Sequence, residues 1–378
     1  MDLDQIRNKI DQVDDQIFEL FQERMELSKE VAEQKKGSGL SLTNRIRERE
    51  ILARLSKKSE ELRAYTRMLY STLFSVSKSY QRKTLFGESA FAKELEHAAL
   101  NSPRVFPREG TIAIQGIEGS YSQQVADKLF PMGDVMFFKT FDHVFDAVSK
   151  GLCDFGILPI ENSSNGSVKE VYDLMMKKNF HIVRSYKLYI RHKLLVKPGV
   201  SLSEIREVLS HRQALEQCSE FFKENPQITT SYYSNTAMSA STVSQSERRD
   251  LAAISSKFCQ DLYGLEAIDA EIQNDDNNYT RFICITKDMK IYPGSNKISL
   301  MLTAPHEPGG LYHIMARFAA LGLNITKLES RPMPGSDFEF MFYFDFEGSV
   351  ETKDVRDLLD EFYQDTERFA FLGNYQES

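Results

Sequence analysis

The stretch LDQIRNKIDQVDDQIFELFQERMELSKEVAEQK, residues 3–35, carries Leu3, Ile6, Ile10, Val13, Ile17, Leu20, Leu27 and Val31 at steps built from threes and fours. That spacing predicts one long amphipathic helix whose apolar face must be covered by other helices. Position 24 belongs to the same stripe, and it is Arg24. A guanidinium on a core-facing stripe needs a carboxylate or another anion to offset its desolvation. Lys35 follows eleven residues later, within roughly 20° of Arg24 around the helix and about 16 Å along its axis. Two cations therefore look inward together. An interhelical ion pair, a Lys35 that snorkels to water, or an anionic ligand would each satisfy that arrangement.

After Gly37 and Gly39, residues 45–55 read as a short helix with the adjacent pair Arg47 and Glu48. A third helix follows, with Leu62, Tyr65, Leu69, Leu73, Val76 and Tyr80 on one face and the i, i+4 pair Ser77 and Gln81 bordering it. Three helices of unequal length leave the first with more apolar surface than one chain can cover, so a homodimer or higher homo-oligomer is expected.

With those residues in place, residues 1–85 resemble the AroQ-type chorismate mutase domain, an all-α three-helix fold that forms an intertwined dimer. The resemblance implies a site for chorismate made of Arg24, Lys35, Arg47, Glu48, Ser77 and Gln81, with Arg7 serving the partner subunit. Asn44 stands where many members have an aspartate that helps hold the substrate hydroxyl. The implied reaction, rearrangement of chorismate to prephenate, needs no nucleophile, only orientation and charge. Arg7 and Arg24 would clamp two carboxylates, Lys35 and Gln81 would donate to the ether oxygen, and Glu48 would accept from the ring hydroxyl.

Composition fits this division. A chain of 378 residues with 41% apolar residues suggests two or three globular domains. Residues 1–84 hold 17 basic and 14 acidic residues, net +3, while the remainder is net −11. Only the helical module is basic, which suits a small dianion, and an overall charge of −8 argues against nucleic acid. Cys153, Cys218, Cys259 and Cys284 lack metal or disulfide spacing, and the histidines lack ligand spacing. No metal, other cofactor or membrane span is expected, and the start has no secretory pattern; a cytoplasmic location is the expectation.

Residues 86–108, with Gly87, Pro103 and Pro107, read as a partly helical linker. From Gly110 the pattern becomes α/β, with strands expected at 111–115, 135–138 and 154–160. The first leads through Gly116, Gly119, Ser120, Tyr121 and Ser122 into a helix, a natural anion site, although the glycine spacing fits no nucleotide loop. The third ends in Glu161, Asn162, Ser163, Ser164 and Asn165, more polar groups than helix capping needs. A long alternating segment, 182–196, opens a second α/β lobe, and Tyr279 to Ile285 forms a buried strand.

Residues 109–287 resemble prephenate dehydratase through Gly119-Ser-Tyr-Ser122, Pro159-Ile-Glu-Asn-Ser163 and Thr280-Arg-Phe282, in that order. The family has two lobes like a periplasmic binding protein, with the site in the cleft. The resemblance makes Thr280 the catalytic position; a threonine hydroxyl is a weak acid that needs hydrogen-bonding partners, for which Glu161 is a candidate relay, and Ser120, Ser122, Asn162, Ser163 and Arg281 would orient the carboxylates of prephenate. The chain departs from the family's Ser-His-Pro-Gln loop at Arg212, which predicts a more mobile loop there.

Residues 297–373 alternate as strand, helix, strand, strand, helix, strand, with Phe338, Phe340, Phe342, Phe344 and Phe346 on one strand face. A packed sheet face accounts for that run. This α+β βαββαβ order, with Glu329-Ser-Arg-Pro332, resembles the ACT domain through which L-phenylalanine inhibits such enzymes. The implied effector residues are Gly309, Gly310, Leu311, Glu329, Ser330 and Arg331, with Tyr312 in place of the family's valine. Together the modules imply a multidomain bifunctional enzyme of phenylalanine biosynthesis. A dehydratase with a purely structural helical module, and a ligand sensor without catalysis, are the alternatives that adding chorismate would separate.

Overall fold

The computed structural model describes residues 2–36, 44–268, 272–333 and 340–378. Gly37, Gly39 and Phe338 lie outside the described residues. The N-terminal module is α1 (Leu3–Lys35), α2 (Arg45–Ser56) and α3 (Arg63–Phe86). A capping box starts α1, with the Asp2 side chain accepting from the Gln5 N–H and the Gln5 side chain from the Asp2 N–H. Along its 33 residues only Met25, Ser28 and Ala32 are buried. Leu3, Ile10, Ile17 and Leu20 are more than half exposed, so most of the stripe is uncovered within one chain.

The segment expected as a linker is more than a spacer. It contains α4 (Ala90–Asn101), whose Phe91, Leu95 and Ala98 share a core cluster with Leu300, Phe318, Phe346 and Phe362 of the C-terminal module. Apolar residues at i, i+4 and i+7 give α4 one buried face.

The first lobe of the middle module comprises β1 (Thr111–Gln115), α5 (Tyr121–Leu129), β2 (Asp134–Phe138), α6 (Phe141–Ser149), β3 (Phe155–Asn162), β4 (Gly166–Ser167), α7 (Lys169–Lys178) and β5 (His181–Tyr189). The second comprises β6 (Lys193–Val196), β7 (Glu207–Ser210), α8 (Arg212–Glu216), α9 (Ser219–Glu224), β8 (Thr229–Tyr232), α10 (Thr236–Gln245), β9 (Leu251–Ser255), α11 (Lys257–Tyr263) and β10 (Glu266–Ile268). Its sheet order is β10-β6-β9-β7-β8. Residues 182–196, expected as one segment, divide into β5 and β6 in different sheets, because the chain crosses between lobes at 190–192. The strand expected to stop at Ile160 runs on to Asn162. From the second lobe the chain returns as β11 (Tyr279–Thr286), between β3 and β5.

The C-terminal module is β12 (Lys297–Thr303), α12 (Gly310–Ala320), β13 (Ile325–Pro332), β14 (Phe340–Glu347), α13 (Lys353–Asp365) and β15 (Phe369–Glu377). Phe344 and Phe346 pack with Phe318 of α12 and Phe362 of α13, as alternation requires. Its last strand exceeds the expected limit at 373. Gln376 and Glu377 pair in parallel with Arg184 and Ser185 of β5, which fuses the two sheets in the order β13-β14-β12-β15-β5-β11-β3-β1-β2.

At that junction Gly373 has φ +148°, and a Cβ there would meet the Ile182 carbonyl oxygen at 2.1 Å. Gly373→Ala is therefore expected to destabilise the protein by about 2 kcal/mol or more, read as a lower melting temperature. An unchanged melting temperature would rule out this tight junction. Among the described residues no helix is long and apolar enough to cross a membrane.

Candidate active sites

In the helical module Arg24 reaches from α1 to α3. Its Nη1 donates to Ser77 Oγ and, at 3.4 Å, to the Leu73 carbonyl, and its guanidinium lies 5.7 Å from the centre of the Phe74 ring. Burial lowers the pKa of Arg24, while the Tyr70 phenol acts to raise it. Among the described residues no carboxylate lies within ion-pairing distance of it. Ser77 and Gln81 are buried on the same helix, and Glu48 pairs with Lys78 of α3 at 3.3 Å. Lys35 is half-buried in the last turn of α1.

Three expected members are placed elsewhere. Arg7 stands 17 residues before Arg24, about 25 Å along the helix, exposed and paired with Asp4 at 3.2 Å. The Arg47 head is exposed and pairs with Glu50 at 3.2 Å. Asn44, expected to offer an acceptor to substrate, is the N-cap of α2, and its side chain accepts from the Arg47 N–H at 3.0 Å. Helix capping engages that oxygen.

In the middle module, β3 and β11 meet in antiparallel register with Thr280 opposite Asn162 and Arg281 opposite Glu161. Alternation sends the first pair to one face and the second pair to the other. Asn162 Nδ2 donates to Thr280 Oγ1 at 3.0 Å, to Asn278 Oδ1 at 2.9 Å and to the Tyr279 carbonyl at 3.2 Å. Its Oδ1 accepts from the Ser164 and Asn165 N–H groups and, at 3.4 Å, from Gln217 Nε2. Gln217 comes from the other lobe, so the cleft is spanned. Because Thr280 Oγ1 accepts from Asn162, its own hydrogen is available to another group.

The chain of contacts continues outward. Gln217 Oε1 accepts from Asn278 Nδ2 at 3.1 Å and faces His192 Nε2 at 2.9 Å, while His192 Nδ1 lies 3.3 Å from the Tyr121 hydroxyl. These partners fit a neutral His192 with its proton on Nε2. Burial pushes its pKa down, more than the bond to Gln217 raises it. Since the neutral form suffices, a profile of kcat against pH for this cleft should show no inflection at or above the ordinary histidine pKa of about 6.5; an inflection there would contradict this assignment.

Tyr121 lies within the Gly119-Ser-Tyr-Ser122 motif but has no site role of its own in the sequence, and His192, Gln217 and Asn278 follow no spacing rule, although Asn278 ends the polar run Asn274 to Asn278 before Tyr279. Ser120 caps α5 by accepting from the Gln123 N–H, and Ser122 is buried in its first turn. A Cβ on Gly119 would sit 2.8 Å from Cys259 Sγ, so this loop is pressed against α11 of the second lobe.

Several expected roles change. Arg281, expected to orient substrate, is 5% exposed on the far face and pairs with Asp345 at 2.6 Å. Burial opposes its charge, but Asp345 holds its pKa above the ordinary value. Glu161, expected as a relay, pairs with Lys327 at 2.7 Å on that same far face. The Ser163 hydroxyl donates to the Asn277 carbonyl at 2.7 Å and accepts from the Tyr279 N–H, clamping the loop before Thr280. Arg212 opens α8 and pairs with Glu216 at 2.9 Å; the first helical position is one that proline also favours.

The expected effector residues divide as well. Gly309 is the N-cap of α12 with φ +88°, and a Cβ on Gly310 would meet the Pro305 carbonyl at 2.2 Å. Gly310 and Leu311 line a cavity of about 830 Å³ shared with Glu48 and Lys78 of the helical module. Ser330 lies opposite Phe342 on the edge strand β13, where its side chain is exposed. Glu329 and Arg331 point the other way, to Ser167 Oγ and to Asp173 at 2.8 Å, so they grip the dehydratase lobe and do not line that cavity.

Residues 6–82 match the family model for chorismate mutase type II, and residues 112–290 match that for prephenate dehydratase. The bifunctional chorismate mutase/prephenate dehydratase of Escherichia coli (strain K12) is 30% identical over 381 aligned positions, covering 98% of this chain and 95% of that protein. The chain belongs to the chorismate mutase–prephenate dehydratase family. As a family member it carries both enzymatic domains and acts in phenylalanine biosynthesis. The arogenate dehydratase/prephenate dehydratase 2 of Arabidopsis thaliana is 33% identical, covering 79% of this chain and 80% of that one. A solved structure of prephenate dehydratase in complex with L-Phe from Arthrobacter aurescens is 26% identical, with a TM-score of 0.64, and covers 70% of this chain and 89% of that one.

Proposed function

We propose that one chain converts chorismate to prephenate in the helical module and prephenate to phenylpyruvate in the cleft, with L-phenylalanine inhibiting through a C-terminal ACT domain. The observation that carries the dehydratase reading is the Asn162 Nδ2–H donated to Thr280 Oγ1 at 3.0 Å. With its oxygen so supported, the Thr280 hydroxyl donates its proton to the departing hydroxide of prephenate, which leaves as water, and Thr280 regains a proton from solvent before the next turnover. The bond to the ring carboxylate breaks at the same time, releasing carbon dioxide, and its electron pair completes the aromatic ring. Ser120, Ser122 and the start of α5 receive a substrate carboxylate.

In the mutase, Arg24 offers a partly desolvated cation to a carboxylate, with Gln81 and Lys35 serving the ether oxygen and Glu48 the ring hydroxyl. The remoteness of Arg7 and the uncovered stripe of α1 support an intertwined dimer, alone or within a larger homo-oligomer, in which Arg7 completes the partner's site. Gly309 and Leu311 supply backbone N–H groups for the amino-acid effector, Gly310, whose own N–H donates to the Glu307 carbonyl at 3.0 Å, lets the effector approach the backbone, and Ser330 is retained as an effector residue. Four buried free cysteines suit a reducing compartment such as the cytoplasm.

The test is to supply chorismate to the purified protein and follow phenylpyruvate while titrating L-phenylalanine. Phenylpyruvate formation that declines with L-phenylalanine is expected. Conversion of added prephenate alone would reduce the helical module to a structural role. Turnover indifferent to L-phenylalanine would remove the effector assignment.

A further inference from the structure

The pairing of β11 with β3 shifts register between Arg281 and Phe282, one residue beyond Thr280. An irregularity of this kind re-aims the side chains beside it, so the direction of the Thr280 hydroxyl depends on what holds Arg281. Three carboxylates from three strands converge there: Asp345 of β14 at 2.6 Å, Glu161 of β3 at 3.5 Å and Glu377 of β15 at 3.7 Å. Two of the three belong to the C-terminal module. Asp345 makes the shortest contact, and its side chain is 1% exposed.

Asp345 is itself fixed from behind. It accepts from Ser299 Oγ, which lies 2.6 Å from the Tyr375 hydroxyl and 3.1 Å from that of Tyr343. Glu377 is held by Lys297 at 2.7 Å and Lys187 at 3.0 Å. Arg281 Nε and Nη2 and Asp345 Oδ2 are buried without a hydrogen-bond partner among the described residues, so the guanidinium is held by charge attraction to these carboxylates, and with it the strand that carries it.

We propose that Asp345 is a positioning residue for dehydration, holding Arg281 at the register shift so that the Thr280 hydroxyl stays aimed into the cleft. It touches no substrate and acts from a different module. The proposal rests on Thr280 being the proton donor, as read above.

The test uses the full-length chain with D345N, the double variant R281Q/D345N and T280A, measuring kcat and KM on prephenate and the mutase rate on chorismate in each preparation. The double variant leaves no unpaired buried charge, so it remains informative where D345N alone fails to fold. Both Asp345 variants are expected to lower dehydration kcat roughly ten- to hundred-fold with KM within about twofold and the mutase rate unchanged. That split separates positioning from loss of fold. The proposal is overturned if R281Q/D345N keeps kcat within twofold of the parent, or if kcat, KM and mutase rate all deteriorate together. Retained dehydration in T280A would instead overturn the reading of Thr280, and the positioning role with it.

Discussion

Thr280→Ala is expected to lower kcat for dehydration by about 10²- to 10⁴-fold while leaving the mutase rate unchanged. The substitution removes the one hydroxyl that Asn162 supports at 3.0 Å on the cleft side of β11. Leaving hydroxide is a poor group without a proton, and a hydroxyl whose oxygen already accepts a hydrogen bond is a better donor than an isolated one. Asn162 retains Asn278 and the Tyr279 carbonyl as acceptors, so the variant should fold normally. Parallel assays with prephenate and chorismate check this. Equal loss of both rates would contradict two separate sites.

Arg24→Ala should have the opposite signature, lowering mutase kcat/KM by about 10²- to 10³-fold and sparing dehydration. Truncation takes away a charged donor whose partners among the described residues are a hydroxyl, a carbonyl and the Phe74 ring, all on α3. Ser77 keeps its own bond to the Leu73 carbonyl at 2.6 Å, so little structural penalty follows. The same variant tests the shared site. Arg7→Ala and Arg24→Ala dimers, each inactive, should recover roughly a quarter of the parent mutase rate when mixed and allowed to exchange subunits, because half of the dimers then hold one intact site. Failure to recover activity, despite proven exchange, would sink that assignment.

Local pattern carried much of the fold. The three helices, the strands at 111–115 and 279–285, and the βαββαβ order follow from periodicity, because each element buries one face. Arg24 was legible as an oddity for the same reason: a charge on an apolar stripe is visible in one dimension. Arg281 was not, since its neighbour Thr280 faces the cleft, and only the strand's alternation, together with the arrival of Asp345 some 60 residues later, turns it away. Glu329 and Arg331 were misplaced by the same effect. Tyr121, His192, Gln217 and Asn278 are joined by contacts across two lobes, for which no sequence spacing exists.

The fused ten-stranded sheet constrains how this molecule can move. Because β15 is hydrogen-bonded to β5, and β5 to β11, the C-terminal module cannot swing against the lobe bearing Thr280 without tearing a backbone ladder. The other lobe has its own sheet and is reached through two crossings, at 190–192 and between β10 and β11. Any opening of the cleft therefore falls to that second lobe, which would carry Gln217 away from Asn162, while the C-terminal module stays with the lobe bearing Thr280.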